Sequence, residues 1–105
     1  SWAEGRACAF PERQTSFVDG AGGSSIMPRM WERMRPVADG ALVVTLEETR
    51  QAMKLIAEKA RVIAEGAGAL SVAAALTGKA GDGPIIAVIS GGNLDMKKFC
   101  ELIDI

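Results

Sequence analysis

The period of apolar and polar positions changes several times along this chain, and each change predicts an element. From Leu46 to Ala60 the positions Leu46, Thr49, Met53, Ile56, Ala57 and Ala60 recur on one helical face, with Glu47, Arg50, Lys54 and Glu58 opposite. Thr45 followed by Glu48 forms a T-x-x-E capping box. The hydroxyl takes the Glu48 amide while the carboxylate reaches back to the Thr45 amide, and acids in the first turn suit the helix dipole. Ala67–Leu76 is apolar nearly all round, which predicts a helix enclosed on most sides and stopped by Gly78. Leu94–Ile103 reads as a closing amphipathic helix with Met96, Phe99, Cys100 and Ile103 inward. Pro28 can open a short helix that ends before Pro36, because a proline at the first helical position loses no needed hydrogen bond. Its stripe of Met27, Met30, Trp31 and Met34 reads as core packing.

Elsewhere the pattern is not helical. Ala41–Thr45 is a short β-branched run and reads as a buried strand. Ile85–Ile89 is continuously apolar, as in a strand covered on both faces in a parallel sheet. Val62-Ile63 is an extended crossing, Lys79–Pro84 a loop, and Ser90–Asn93 a tight turn. Residues 1–27 read as irregular, punctuated by Pro11, Asp19-Gly20 and Gly22-Gly23. The expected fold class is therefore α/β, with parallel buried strands and covering helices. One partial domain spans 1–105: a lead-in with a short helix over 1–40, then a strand-helix-helix-strand-helix unit over 41–105. Two strands are too few for a covered sheet, so the domain is expected to be incomplete on its own. The missing initiating Met agrees with a fragment or a processed chain.

Composition narrows the chemistry. In 105 residues, 49% hydrophobic and 24% charged, the chain is too apolar to be intrinsically disordered. Twelve basic against 13 acidic residues give a net charge of -1, which argues against a nucleic-acid partner. The absence of His excludes His-based catalysis and His-ligated metals, and no metal site is expected. Cys8 and Cys100 are too few for a four-thiolate site and read as reduced thiols of a cytoplasmic protein. There is no signal-peptide pattern, and no apolar run reaches the length of a membrane helix, so no membrane partner is expected.

Candidate chemistry sits at two turns. Ser90-Gly91-Gly92-Asn93 follows the predicted central strand, where open α/β sheets bind ligands. The glycines allow close backbone approach, the Ser90 hydroxyl can donate or accept a hydrogen bond, and Asn93 can cap the last helix. Glu65 stands directly before the enclosed helix, beside surface where an unpaired carboxylate is costly, and Gly66 and Gly68 would allow close approach of backbone or ligand. Taken singly, the first could be an ordinary tight turn and the second an ordinary acid at a helix start.

Together, E-G-A-G-A-L-x-V-A-A-A-L from Glu65 and I-I-A-V-I-S-G-G-N-L-D from Ile85 resemble the C-terminal part of pyridoxal-phosphate enzymes of fold type II. Threonine dehydratases (threonine ammonia-lyases) and serine racemases are the nearest likeness. Thr15–Gly20 resembles their T-x-x-D-G segment, and Val43–Glu48 their V-x-E-x-E turn into a helix, so the resemblance covers about residues 5–103. It implies a segment of a threonine or serine dehydratase that forms the pyridine-ring side of the site for pyridoxal 5'-phosphate. Ser90 would bond the ring nitrogen, with Gly91, Gly92 and Asn93 beside it. Glu65 and Gly66 would face the ring, and Asp19 and Gly20 would approach the substrate side. A neutral hydroxyl does not force protonation of that nitrogen, which makes the ring a milder electron sink.

The family's Schiff-base lysine and glycine-rich phosphate loop belong to an N-terminal part not found in this sequence. None of Lys54, Lys59, Lys79, Lys97 and Lys98 stands in a matching context, so no catalytic residue is expected in this segment. The expected partners are the missing N-terminal portion or a companion chain, an amino-acid substrate, and further copies in a homo-oligomer. Two other readings stay open: a noncatalytic fragment that binds a partner or self-associates, and a related fold type II racemase or lyase.

Overall fold

The computed structural model describes residues 1–10 and 14–105; the Pro11 turn lies outside them. Its elements are a 3-10 turn, Asp19–Ala21, and the helices α1 (Pro28–Met34), α2 (Leu46–Ala60), α3 (Gly66–Leu76) and α4 (Met96–Ile103). The 3-10 turn packs against α3, and α2 packs against both α3 and α4.

Helix α2 organises the rest. Its capping box forms as the sequence predicts: Thr45 Oγ1 accepts from the Glu48 amide at 3.0 Å, and the Thr45 amide donates to Glu48 Oε2 at 2.7 Å. Thr49, Ala52, Met53 and Ile56 are its buried residues. The buried Thr49 hydroxyl donates to the Thr45 carbonyl at 2.8 Å, so its burial leaves no polar atom unpaired. The helix ends at Arg61 in the left-handed region (φ 57°), after which the chain is not helical until α3.

The core joins Ala52, Met53 and Ile56 of α2 to Ala64, to Ala69 and Ala73 of α3, and to Phe99 and Leu102 of α4. Alanines on the facing helices let them approach closely, and Met53 fills the seam as the largest fully buried side chain. Arg50 Nε donates to the Leu102 carbonyl at 2.7 Å, tying the end of α4 to α2. A smaller cluster lies at α1, where Trp31 meets Trp2 edge to face with ring centroids 5.7 Å apart.

The α/β expectation is overturned. Among the described residues there are helices and no strand; the β pairing is one isolated bridge, Ala9 to Ser25. Residues 41–45 and 85–89 are not helical, but their backbones form no ladder. A strand exists only through a paired neighbour. Here side chains take carbonyls that a ladder would use: Lys79 Nζ donates to Val43 O at 2.6 Å, and Ser71 Oγ to Val88 O at 2.7 Å. Nor are these runs buried, since Val43 is 79% exposed, Ile86 95% and Val88 69%. The expected parallel buried strands are therefore absent from the described residues, which leaves helices without a sheet to cover.

Smaller corrections follow the same division between local and distant contacts. In α1 Trp31 is buried and Met34 half-buried, whereas Met27 and Met30 are exposed. In α4 the inner face is Phe99 and Leu102, with Ile103 half-buried; Met96 and Cys100 are exposed. Helix α3 is less enclosed than its composition predicts, with Leu76 exposed and Gly66, Gly68, Ala69 and Ala73 buried.

Thr45→Ala is expected to lower stability by about 1 kcal/mol through loss of the cap. Met30→Ala should stay within about 0.5 kcal/mol, as befits an exposed residue. Urea unfolding followed by circular dichroism compares them. The bare apolar run at 85–89 should also make the chain associate at high concentration. Light scattering should find Ile86→Glu less associated than the parent chain, with an unchanged melting temperature.

Candidate functional site

Helix α3 begins where the 3-10 turn and the Ser90–Asn93 turn meet. Glu65 is its N-cap residue, with extended backbone (φ -75°, ψ 169°), and its side chain makes no capping hydrogen bond. The Glu65 amide donates to the Gly91 carbonyl at 3.1 Å, so the backbone of the second turn closes on the helix start.

The glycines explain how these segments fit. A Cβ on Gly91 would collide with Glu65 Oε1. A Cβ on Gly20 would stand 3.5 Å from Glu65 Oε2 and 3.0 Å from Ala67 Cβ. The half-buried Glu65 carboxylate therefore stands between Gly91 and Gly20. A Cβ on Gly66 would meet the Phe17 ring at 2.8 Å and its carbonyl oxygen at 2.9 Å. A Cβ on Gly68 would collide with the Gly91 carbonyl, and one on Gly92 with the Ile63 carbonyl. In each case the space a side chain would need is filled by protein.

The structure thus brings together Asp19-Gly20, Glu65-Gly66 and Gly91-Gly92, which the sequence places far apart. Ser90 and Asn93 flank the last pair and are exposed, as are Asp19 and Gly20. Asn93 does not cap α4; Asp95 does, its carboxylate accepting the Lys98 amide at 3.3 Å. A groove of about 480 Å³ runs between the two flanking turns, lined by Thr15, Ser16, Phe17, Asp19, Asn93 and Lys98 among others. A separate hollow of about 270 Å³ beside Trp2 and Trp31 holds none of the candidate site residues.

Gly68, which the sequence marks with Gly66 for close approach of backbone or ligand, meets the Gly91 backbone. Sequence reasoning passed over Phe17. Nothing local marks Phe17, because its role is a contact with a residue 49 positions away (66 − 17). Among the described residues no group of His, Cys, Asp or Glu is arranged to hold a metal ion. No helix is long and apolar enough to cross a membrane. Cys8 and Cys100 are free thiols.

With this geometry in hand, comparison with known proteins defines the class. The sequence model of the family "Pyridoxal-phosphate dependent enzyme" matches residues 1–91, and the chain belongs to that family. Among its curated relatives is the L-threonine dehydratase catabolic TdcB of Staphylococcus aureus strain USA300, 38% identical over 79 residues, or 70% of this chain and 23% of the relative. The protein of the same name from strain N315 is 31% identical over 104 residues, covering 94% of this chain and 30% of the relative. The chain thus spans between about a quarter and a third of the length of these relatives.

Gly66→Ala is expected to lower stability by about 1–3 kcal/mol, because the new methyl overpacks against the Phe17 backbone. Gly83→Ala, with open space around it, should be neutral or stabilising by up to about 1 kcal/mol. Thermal unfolding of both variants checks the contrast.

Proposed function

We propose that this chain is one part of a pyridoxal-phosphate-dependent threonine or serine dehydratase, a deaminating ammonia-lyase. It would supply the pyridine-ring side of the cofactor site. The observation that carries the reading is the closure of the Ser90–Asn93 turn onto Glu65, through the Glu65 amide and the Gly91 carbonyl, in a chain of this family. The names of the S. aureus relatives support the substrate class.

The residues suit the group. Ser90 offers one exposed, neutral hydroxyl that can donate to an aromatic nitrogen. Glu65 offers a carboxylate on the far side of a residue without a side chain. When bound, pyridoxal phosphate supplies an electron sink for loss of a group from an amino acid. Ser90 would hold the ring nitrogen without a charge, leaving it free of the strong bias toward protonation that a carboxylate imposes. Glu65 and Gly66 would line the ring's surroundings with Gly91, Gly92 and Asn93, and Asp19 and Gly20 would face the amino acid. The remainder of the enzyme, in the same chain or a companion chain, would contribute the lysine that binds the cofactor and would cover Ile85, Ile86 and Val88. The assembled enzyme would act in the cytoplasm as a homo-oligomer.

The test is a hybrid enzyme in which this chain replaces the matching segment of the S. aureus dehydratase. The hybrid should bind pyridoxal phosphate and release ammonia from threonine or serine. Ser90→Ala should weaken cofactor binding about five- to 150-fold, the equivalent of a hydrogen bond of about 1–3 kcal/mol, without lowering the melting temperature of the apoprotein. A hybrid that folds and binds the cofactor equally well with Ser90 or Ala would remove Ser90 from the site.

A further inference from the structure

The Gly91 carbonyl takes part in two relations at once. It accepts the Glu65 amide, and it occupies the space that a side chain on Gly68 would fill. Gly68 lies in the first turn of α3 and is buried, so this carbonyl rests directly on the helix backbone. The Glu65 carboxylate stands where a Cβ on Gly91 would be. One residue without a side chain therefore sets the depth at which the second turn sits on α3. That depth in turn sets the separation of the Ser90 hydroxyl from the Glu65 carboxylate.

We propose that Gly68 is a positioning residue: its missing side chain seats the Gly91 carbonyl on α3 and so fixes Ser90 and the Glu65 carboxylate relative to each other on the ring side of the cofactor site. The inference rests on the reading of Ser90 and Glu65 given above, but it concerns a residue that would not touch the cofactor. A methyl at position 68 cannot coexist with the present place of the Gly91 carbonyl, and the obstacle is backbone, which cannot rotate aside as a side chain end can. The turn must move outward. The hydrogen bond from Glu65 to Gly91 stretches with it, and Ser90 leaves its position.

Gly68→Ala tests this in two settings. In the full chain, amide resonances of Glu65, Ser90 and Gly91 should move and the Glu65 amide should exchange faster with solvent, while those of Met53 and Ile56 in α2 stay in place. In the hybrid enzyme, cofactor affinity should fall by up to about 150-fold, the effect of losing the Ser90 hydrogen bond, and the cofactor's absorbance band should shift. Ile56→Val, which trims the buried core on α2, should lower the melting temperature but leave affinity and absorbance unchanged. If Gly68→Ala changes only the melting temperature, as Ile56→Val does, or leaves the Ser90 and Gly91 amides in place, the proposal is overturned. A silent Ser90→Ala beside a Gly68→Ala that shifts the absorbance would remove the role of Ser90 while Gly68 still positions Glu65. An effective Ser90→Ala beside a silent Gly68→Ala would remove the role of Gly68 alone.

Discussion

The contact between the Gly91 backbone and the start of α3 is the constraint on which the candidate site depends. The hydrogen bond from the Glu65 amide satisfies one of the donors that every helix leaves unpaired at its N-terminus. A side chain at this end usually caps the helix, but the Glu65 carboxylate makes no capping bond and stands between Gly20 and Gly91 instead. A carbonyl from a distant turn takes the amide of the N-cap residue itself. This couples the helix to the turn that carries Ser90. The close approach is possible only because positions 66, 68, 91 and 92 lack side chains where protein atoms now stand.

Stability and site are linked through α3. Ala69 and Ala73 of α3 join the core with α2, and its first turn holds the Ser90–Asn93 turn. The capping box of α2 lies at the far end of the same chain of contacts, so the most local feature of the sequence anchors the least local one. The molecule is thin, 18 Å in its shortest dimension, which leaves little room for side chains hidden from solvent on every side. The large apolar residues at 42, 43, 85, 86 and 88 consequently remain exposed. The chain belongs to a family whose curated relatives here are more than three times its length.

What the sequence made legible is local. Thr45 and Glu48 announce α2, Pro28 announces α1, and the apolar run after Glu65 announces α3, because each signal acts within a few residues. Apolar runs at 41–45 and 85–89 carry a preference for extended backbone, and neither is helical. Whether such a run becomes a strand depends on a neighbour with free ladder groups, and Lys79 and Ser71 take carbonyls there instead. Asn93 and Asp95 are both fit to cap a helix, and only the folded backbone chooses Asp95. The segments of the candidate site were visible as motifs and their glycines as places of close approach, but what approaches them was not. Read along the chain, Gly91 and Gly92 promise room for a ligand; in the structure, Glu65 and the Ile63 carbonyl fill the places where their side chains would be.

The central claim is that Ser90 meets the pyridine nitrogen as a neutral partner from a turn held by Glu65. Pyridoxal phosphate labelled with 15N at the ring, bound to the hybrid enzyme, reports on this contact directly. The account predicts a nitrogen resonance of the neutral, hydrogen-bonded form that moves toward the unbonded value in Ser90→Ala. A resonance of the protonated ring, or one that Ser90→Ala leaves unchanged, would contradict it.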